Sequence, residues 1–157
     1  MIKDLILTLL KNGHSELINT FAAVPDDKIG WRPLDNGRSA LDLFAETAQM
    51  GDVGRRIIES RGQFRVTREL LDTLRAERAS WSREEALTAM ETNHAGAIAA
   101  VEACSDEELA QPVTIPMMGG DITMPLASWA LMGYRQYISR FAQINYIQTL
   151  YGDTDSH

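Results

Sequence analysis

The sequence predicts an all-α fold: a four-helix bundle with crossover connections and a small β-hairpin before the last helix. Three observations lead there. Apolar residues recur at three-and-four spacing over four stretches, each about 20 residues long. Ser39, Ser82 and Ser105 each stand where a helix N-cap is needed, with an acidic residue three positions on. The long connections between the stretches suit a bundle whose successive helices are not all neighbours.

Taken in order, the first helix carries Ile2, Leu5, Ile6, Leu9, Leu10, Leu17, Ile18 and Phe21 on one stripe, and it stops near Ala23, before Val24-Pro25. Gly13 weakens it without ending it. The second starts at Ser39, with Asp42 in the capping-box position. Its stripe is Leu41, Phe44, Ala45, Ala48, Val53, Ile57 and Ile58, and Gly62 marks its end. A shorter helical piece covers Thr67 to Ala79. The third long helix begins with Ser82-Arg83-Glu84-Glu85, a second capping box, and turns Leu87, Met90, His94, Ala97, Ile98 and Val101 inward.

Residues 105–125 break the pattern. Ser105-Asp106-Glu107-Glu108 caps a single turn, after which Val113-Thr114-Ile115 and Asp121-Ile122-Thr123 flank Gly119-Gly120 and read as a hairpin. Pro125 opens the last long helix, which runs to about Tyr151 and is closed by Gly152 and Asp153. One bundle domain therefore spans residues 1–152, followed by a frayed tail, 153–157.

Composition narrows the function classes. With 45% apolar and 24% charged residues among 157, the chain can bury a core and is not expected to be disordered. No apolar run reaches the roughly 18–20 residues that cross a bilayer, so no membrane role is expected. Met1-Ile2-Lys3-Asp4 leads straight into a periodic pattern without a signal-peptide design, which makes the cytoplasm the expected location. The net charge of −7 would repel a phosphate backbone, so nucleic acid is not an expected partner. Cys104 is the only cysteine, which excludes an intrachain disulfide and a thiolate cluster. It has no basic neighbour in sequence to activate it. Arg55, Arg56, Arg61, Arg65 and Arg68 are interrupted by Glu59 and read as a solvated face. No phosphate loop, nucleophile elbow or dinucleotide fingerprint occurs.

Two segments carry a family resemblance. One is Val24-Pro25-Asp26-Asp27-Lys28-Ile29-Gly30-Trp31-Arg32-Pro33 with the following Arg38-Ser39-Ala40-Leu41. The other is Ser105-Asp106-Glu107-Glu108-Leu109, the hairpin, and Pro125-Leu126 leading into the last helix. Together they resemble the damage-inducible DinB/YfiT-like superfamily of helical bundles, metal-dependent enzymes that include thiol S-transferases. The resemblance implies one divalent metal held by a histidine from helix 2 and two histidines four residues apart on the last helix. At those positions stand Glu46, within Leu43-Phe44-Ala45-Glu46-Thr47-Ala48, and Gln136 and Arg140, aligned through Gln143-Ile144. A guanidinium is always protonated and cannot ligate a cation. A one-residue slip does not restore a site, because the last helix contains no histidine. No metal and no cofactor are expected.

Two readings of Glu46, Gln136 and Arg140 stay open. In one, Glu46 and Arg140 form a buried ion pair in the space of the metal, with Gln136 hydrogen-bonded beside them. In the other, Arg140 meets a small anionic ligand in a pocket lined by His94, Trp129 and Gln143. Met117, Met118 and Met124 would suit an adaptable rim there, or the underside of a loop. His14 and His94 lie on different helices, each without a second histidine at ligand spacing, and read as satisfied lone histidines; His94 is the one placed to approach a pocket. The leading expectation is a metal-free, small-molecule-binding or non-catalytic bundle protein. The alternatives are a transferase- or hydrolase-type enzyme with a non-standard site and a dimeric interaction module; a homodimer is compatible with all three.

Overall fold

The computed structural model describes every residue from Met1 to His157. Helices α1 (Ile2–Ala22), α2 (Ala40–Glu59), α4 (Arg83–Glu102) and α6 (Leu126–Leu150) form the bundle. The short α3 (Arg68–Arg78) and α5 (Asp106–Ala110) are attached to it, and β1 (Pro112–Met117) pairs antiparallel with β2 (Gly120–Pro125). Packing is mainly α2 on α4, α1 on α6 and α2 on α6, with α1 touching α4. Around the bundle the order is therefore α1, α6, α2, α4. Because α1 and α2 are not principal neighbours, residues 23–39 have to cross the end of the bundle, which is why that connection is long.

The local chemistry at each helix start follows the sequence, with one informative departure. Ser82 and Ser105 each accept from the N3 backbone N–H, and Glu85 and Glu108 reach back to the cap residue, so both capping boxes are complete. At α2 only half the box forms. Ser39 accepts from the Asp42 N–H, but the Asp42 carboxylate is drawn away to Arg38 and Arg78. A guanidinium is a charged donor and the backbone N–H a neutral one, so the arginines win that carboxylate.

Two boundaries differ from the sequence reading. Helix α2 ends at Glu59 rather than at Gly62; Arg61 and Gly62 follow with φ of 51° and 83°. A Cβ on Gly62 would lie 2.2 Å from Val113 Cγ1, so the hairpin can pack over this turn only because residue 62 has no side chain. The hairpin turn is Met118-Gly119, not Gly119-Gly120: Met117 pairs with Gly120, and Gly120 opens β2 with φ of 116°. The C-terminal residues turn back on themselves, with His157 Nε2 at 2.8 Å from Asp153 Oδ2.

One continuous core joins the four long helices. Phe21 of α1 stacks on Phe44 of α2 with ring centroids 3.8 Å apart, and Met90, Val101, Leu126 and Ile144 belong to the same continuous core. Ile2 and Leu5, placed on the core stripe by spacing alone, are exposed, although Met1 and Lys3 beside them bond to Asp106 and to the Glu102 and Cys104 carbonyls. No helix is long and apolar enough to cross a membrane.

Candidate functional site

Glu46 lies mid-way along α2, four residues after Asp42, which itself follows Arg38 by four. That spacing sets Asp42 and Glu46 on one face of α2, and Arg38, just before the N-cap Ser39, reaches along that face. Arg38 reaches both carboxylates, with its Nε 2.6 Å from Asp42 Oδ2 and its Nη1 on Glu46 Oε2. From α6, Arg140 Nη2 approaches the same Glu46 oxygen at 3.4 Å, while its Nη1 donates to Gln143 Oε1 at 2.7 Å. From α3, Arg78 Nε donates to Asp42 Oδ1 at 3.1 Å. Glu46 and Arg140 thus do meet, as two members of a larger network.

The pair is not sealed. The Glu46 side chain keeps 24% of its exposure and that of Arg140 keeps 17%. This corrects the picture of a pair closed inside the core, and the reason is the polar loop 32–39, which leaves the network facing water on one side. Gln136 is corrected too, since it makes no side-chain hydrogen bond to either partner. Burial works against the Asp42 carboxylate, but hydrogen bonds from Arg38 and Arg78 outweigh it and hold its pKa below the ordinary aspartate value. The Arg38 guanidinium, opposed by burial and favoured by both carboxylates, ends above its ordinary value.

Gln136 points elsewhere. It lines a pocket of about 150 Å³ between α2 and α6, together with Thr47, Met50, Met132, Trp129 and Met117. The walls are almost wholly apolar. Trp129 is buried there because its indole N–H has a partner, the Val113 carbonyl at 3.1 Å. Thr47 spends its hydroxyl on the Leu43 carbonyl at 2.9 Å. The Gln136 amide has no protein partner and is the free polar group of the pocket. Arg140 is not among the lining residues, so the anionic ligand expected from it has no guanidinium to meet inside this pocket. Gln143 is exposed and borders a separate shallow groove with Pro33, Arg38 and Tyr146.

His94 does not line the pocket either, but it is not a lone histidine. Its ring stacks on His14 of α1, with centroids 3.8 Å apart and planes 12° from parallel. His94 Nδ1 lies 3.0 Å from the hydroxyl of Tyr137, whose side chain lines the pocket. Gly13 makes the arrangement feasible: a Cβ there would stand 2.9 Å from Tyr134 Cδ2 and 3.2 Å from Tyr137 Cβ, so α1 can approach α6 closely. Burial, and then the charges of His14 and Lys11, push the His94 pKa down to about 4. Burial lowers that of His14 as well, and Glu91 at 3.3 Å offsets only part of the effect. Tyr137 is raised above its ordinary value, by burial first and by Glu91 second. At neutral pH this cluster is uncharged. Cys104 is also inert, since burial pushes its thiol up and its Sγ sits on the Ala100 carbonyl.

A family model described as the DinB superfamily matches residues 9–144. The chain belongs to that superfamily. Among solved structures, the DinB relative YfiT from Bacillus subtilis superposes with a TM-score of 0.74 at 15% identity, covering 96% of this chain and 87% of that one. It is described as a probable metal-dependent hydrolase with an unusual four-helix bundle topology. A DinB-like protein from the same organism, YjoA, gives 0.69 at 10% identity over 97% of this chain and 95% of that one. The mycothiol-dependent maleylpyruvate isomerase, as a histidine-to-alanine mutant, gives 0.76 at 16% identity. That match covers 90% of this chain but only 60% of the isomerase, so the chain spans less than two thirds of that enzyme's length. These likenesses establish the fold. A search of curated proteins gives no match.

The three-histidine metal site expected for the DinB superfamily is not matched by the side chains at those positions. Glu46 is already engaged by two guanidinium groups, Arg140 brings a fixed positive charge to the centre, and Gln136 faces a different space. No group of three His, Cys, Asp or Glu side chains converges anywhere in the molecule. His14 and His94 stack face to face, and parallel rings cannot aim both lone pairs at one ion.

Sequence reasoning pointed to Glu46, Gln136 and Arg140 through the family resemblance, and the structure brings Glu46 and Arg140 together but not Gln136. It missed Arg38, Asp42 and Arg78 as members of the same network. The four-residue ladder Arg38, Asp42, Glu46 was a usable signal for the first two. For the contact between His14, His94 and Tyr137 no sequence signal existed, because three different helices supply it.

Proposed function

We propose that this chain is a metal-free DinB-superfamily protein that binds a small, mainly apolar, uncharged molecule in the pocket that Gln136 faces. The supporting observation is the division of labour at the former metal positions. Glu46 and Arg140 are neutralised against each other, while Gln136 is left as an unpartnered amide in an apolar pocket. One neutral donor–acceptor group in apolar walls orients a ligand without demanding a charge. A volume of about 150 Å³ suits a molecule the size of a substituted benzene.

Benzamide and indole serve as probes, followed through the methyl signals of Met50, Met117 and Met132. Saturable shifts confined to those three methionines are expected. Gly54→Leu is the blocking variant. Gly54 lines the pocket, and a Cβ there meets nothing within 4 Å, so the new side chain starts in open space. Replacing a helical glycine also favours α2 by up to about 1 kcal/mol. The variant should lose probe binding while melting no lower than the parent. Binding that survives the filled pocket sinks the proposal. So does stoichiometric zinc or nickel in protein purified without chelator.

A second reading is an enzyme working without metal, and the observation in its favour is Tyr137, which lines the pocket with its hydroxyl on His94. The depressed His94 and raised Tyr137 pKa values argue against it, since neither group is tuned near neutrality for proton transfer.

A further inference from the structure

The mouth of loop 32–39 holds a second concavity that the reading above does not use. It has a volume of about 480 Å³ and lies between that loop, the start of α2 and the end of α3. Four guanidinium groups line it, from Arg32, Arg38, Arg75 and Arg78, against two carboxylates, Asp42 and Glu46. In a chain of net charge −7 this is a local reversal of sign. The two carboxylates do not cancel it. Asp42 is shared between Arg38 and Arg78, and Glu46 is shared between Arg38 and Arg140 behind the wall.

The arginines fall into two pairs with different duties. Arg38 and Arg78 are fixed. The Arg78 side chain is only 8% exposed, held by Asp42 at 3.1 Å and by the Gln49 amide oxygen at 3.3 Å, and both guanidiniums keep N–H groups that these bonds do not consume. Fixed donors lose little entropy on binding. Arg32 and Arg75 stand exposed at the rim. Arg32 has no ion-pair partner, and Arg75 has only Asp72 at 3.7 Å on its own helix. Trp81 forms part of the wall and provides a flat apolar surface.

We infer that this concavity is a binding site for a small organic anion carrying two or more negative charges, a phosphate ester or a polycarboxylate, seated on Arg38 and Arg78 and closed over by Arg32 and Arg75. Forked guanidinium donors match the planar carboxylate and the phosphate oxygens, and the surplus of positive charge draws in a polyanion in preference to a monoanion. The volume lies within the usual range for small-molecule sites, about 300–1,000 Å³.

Calorimetric titration with inorganic pyrophosphate and with citrate, at matched ionic strength and against chloride as control, tests this. Saturable one-to-one binding of at least one of the two is expected, with a change in Trp81 emission that Trp81→Phe removes while the heat signal remains. Pyrophosphate alone would assign phosphate chemistry, and citrate alone carboxylate chemistry. Arg32→Gln and Arg75→Gln, both at exposed positions, should each weaken binding about tenfold, roughly 1.4 kcal/mol. The double variant should bind neither anion and melt like the parent. Failure of both anions to saturate at millimolar concentration overturns the inference, as does undiminished binding in the double variant. Gly54→Leu separates this site from the apolar pocket: it should abolish benzamide and indole binding and leave the anions untouched.

Discussion

The bundle contains two polar clusters at helix junctions, and they solve the same problem in opposite ways. Between α2, α3 and α6, the groups of Arg38, Asp42, Glu46, Arg78 and Arg140 keep their charges and compensate them, with one side open to water. Between α1, α4 and α6, His14, His94 and Tyr137 give up charge altogether: His94 and Tyr137 share a hydrogen bond, and His14 stacks on His94 with its Nε2 buried and without a hydrogen-bond partner. Desolvation explains the choice. An arginine cannot discard its proton, so it must be paired and partly hydrated. A histidine can, so burial simply lowers its pKa. The cluster around Glu46 and Arg140 keeps its charges and stays partly exposed.

Acid should break this contrast most visibly. In the unfolded chain His94 protonates near its ordinary value of 6.5, in the folded chain only near 4. Between those values the unfolded state holds more protons, so stability should be flat above pH 6.5 and fall as the pH drops from there toward 4. His14 shifts in the same direction and adds to the fall. Melting temperatures across that window, with the His14→Gln/His94→Gln double variant as reference, measure it. A slope unchanged in the double variant would assign the acid sensitivity to other groups.

Reversing a charge in the compensated cluster comes next. Arg140→Glu sets two carboxylates against each other with only Arg38 between them, and should cost about 2–4 kcal/mol in urea unfolding. Glu46→Ala should cost less, about 1–2 kcal/mol, because Arg38 keeps Asp42, Arg140 keeps Gln143, and both ends reach water. Equal losses for the two variants would mean that the network is not sharing its charge. The smallest effect belongs to the neutral cluster. Tyr137→Phe removes one hydrogen bond to His94 and should cost about 1 kcal/mol, raising no salt dependence. Sensitivity of that variant to salt, against none for Arg140→Glu, would invert the contrast between the two clusters.

The resemblance to metal-dependent enzymes bears on how much of this was legible beforehand. Glu46, Gln136 and Arg140 came from the family resemblance, and the ladder Arg38, Asp42, Glu46 was available in the same stretch. Arg78 was not, since it arrives from α3 and no periodicity says which face of a short helix covers α2. The neutral cluster was wholly hidden, because the stacked rings of His14 and His94 stand 80 positions apart along the chain.

By itself the sequence determined the elements: where helices start, through Ser39, Ser82 and Ser105; which faces are apolar; and where a hairpin interrupts them. Those are local properties, set by hydrogen bonds and side-chain spacing within a few residues. It also determined that no histidine could stand on α6. The tertiary structure decided the rest: that Asp42 abandons its capping role for two arginines, that Gln136 and Arg140 face different spaces one turn apart, and that His14 finds His94. Each of these depends on which helix lies against which, and at what rotation. Pairwise electrostatics and desolvation act at distances of a few ångströms that only the packed bundle creates.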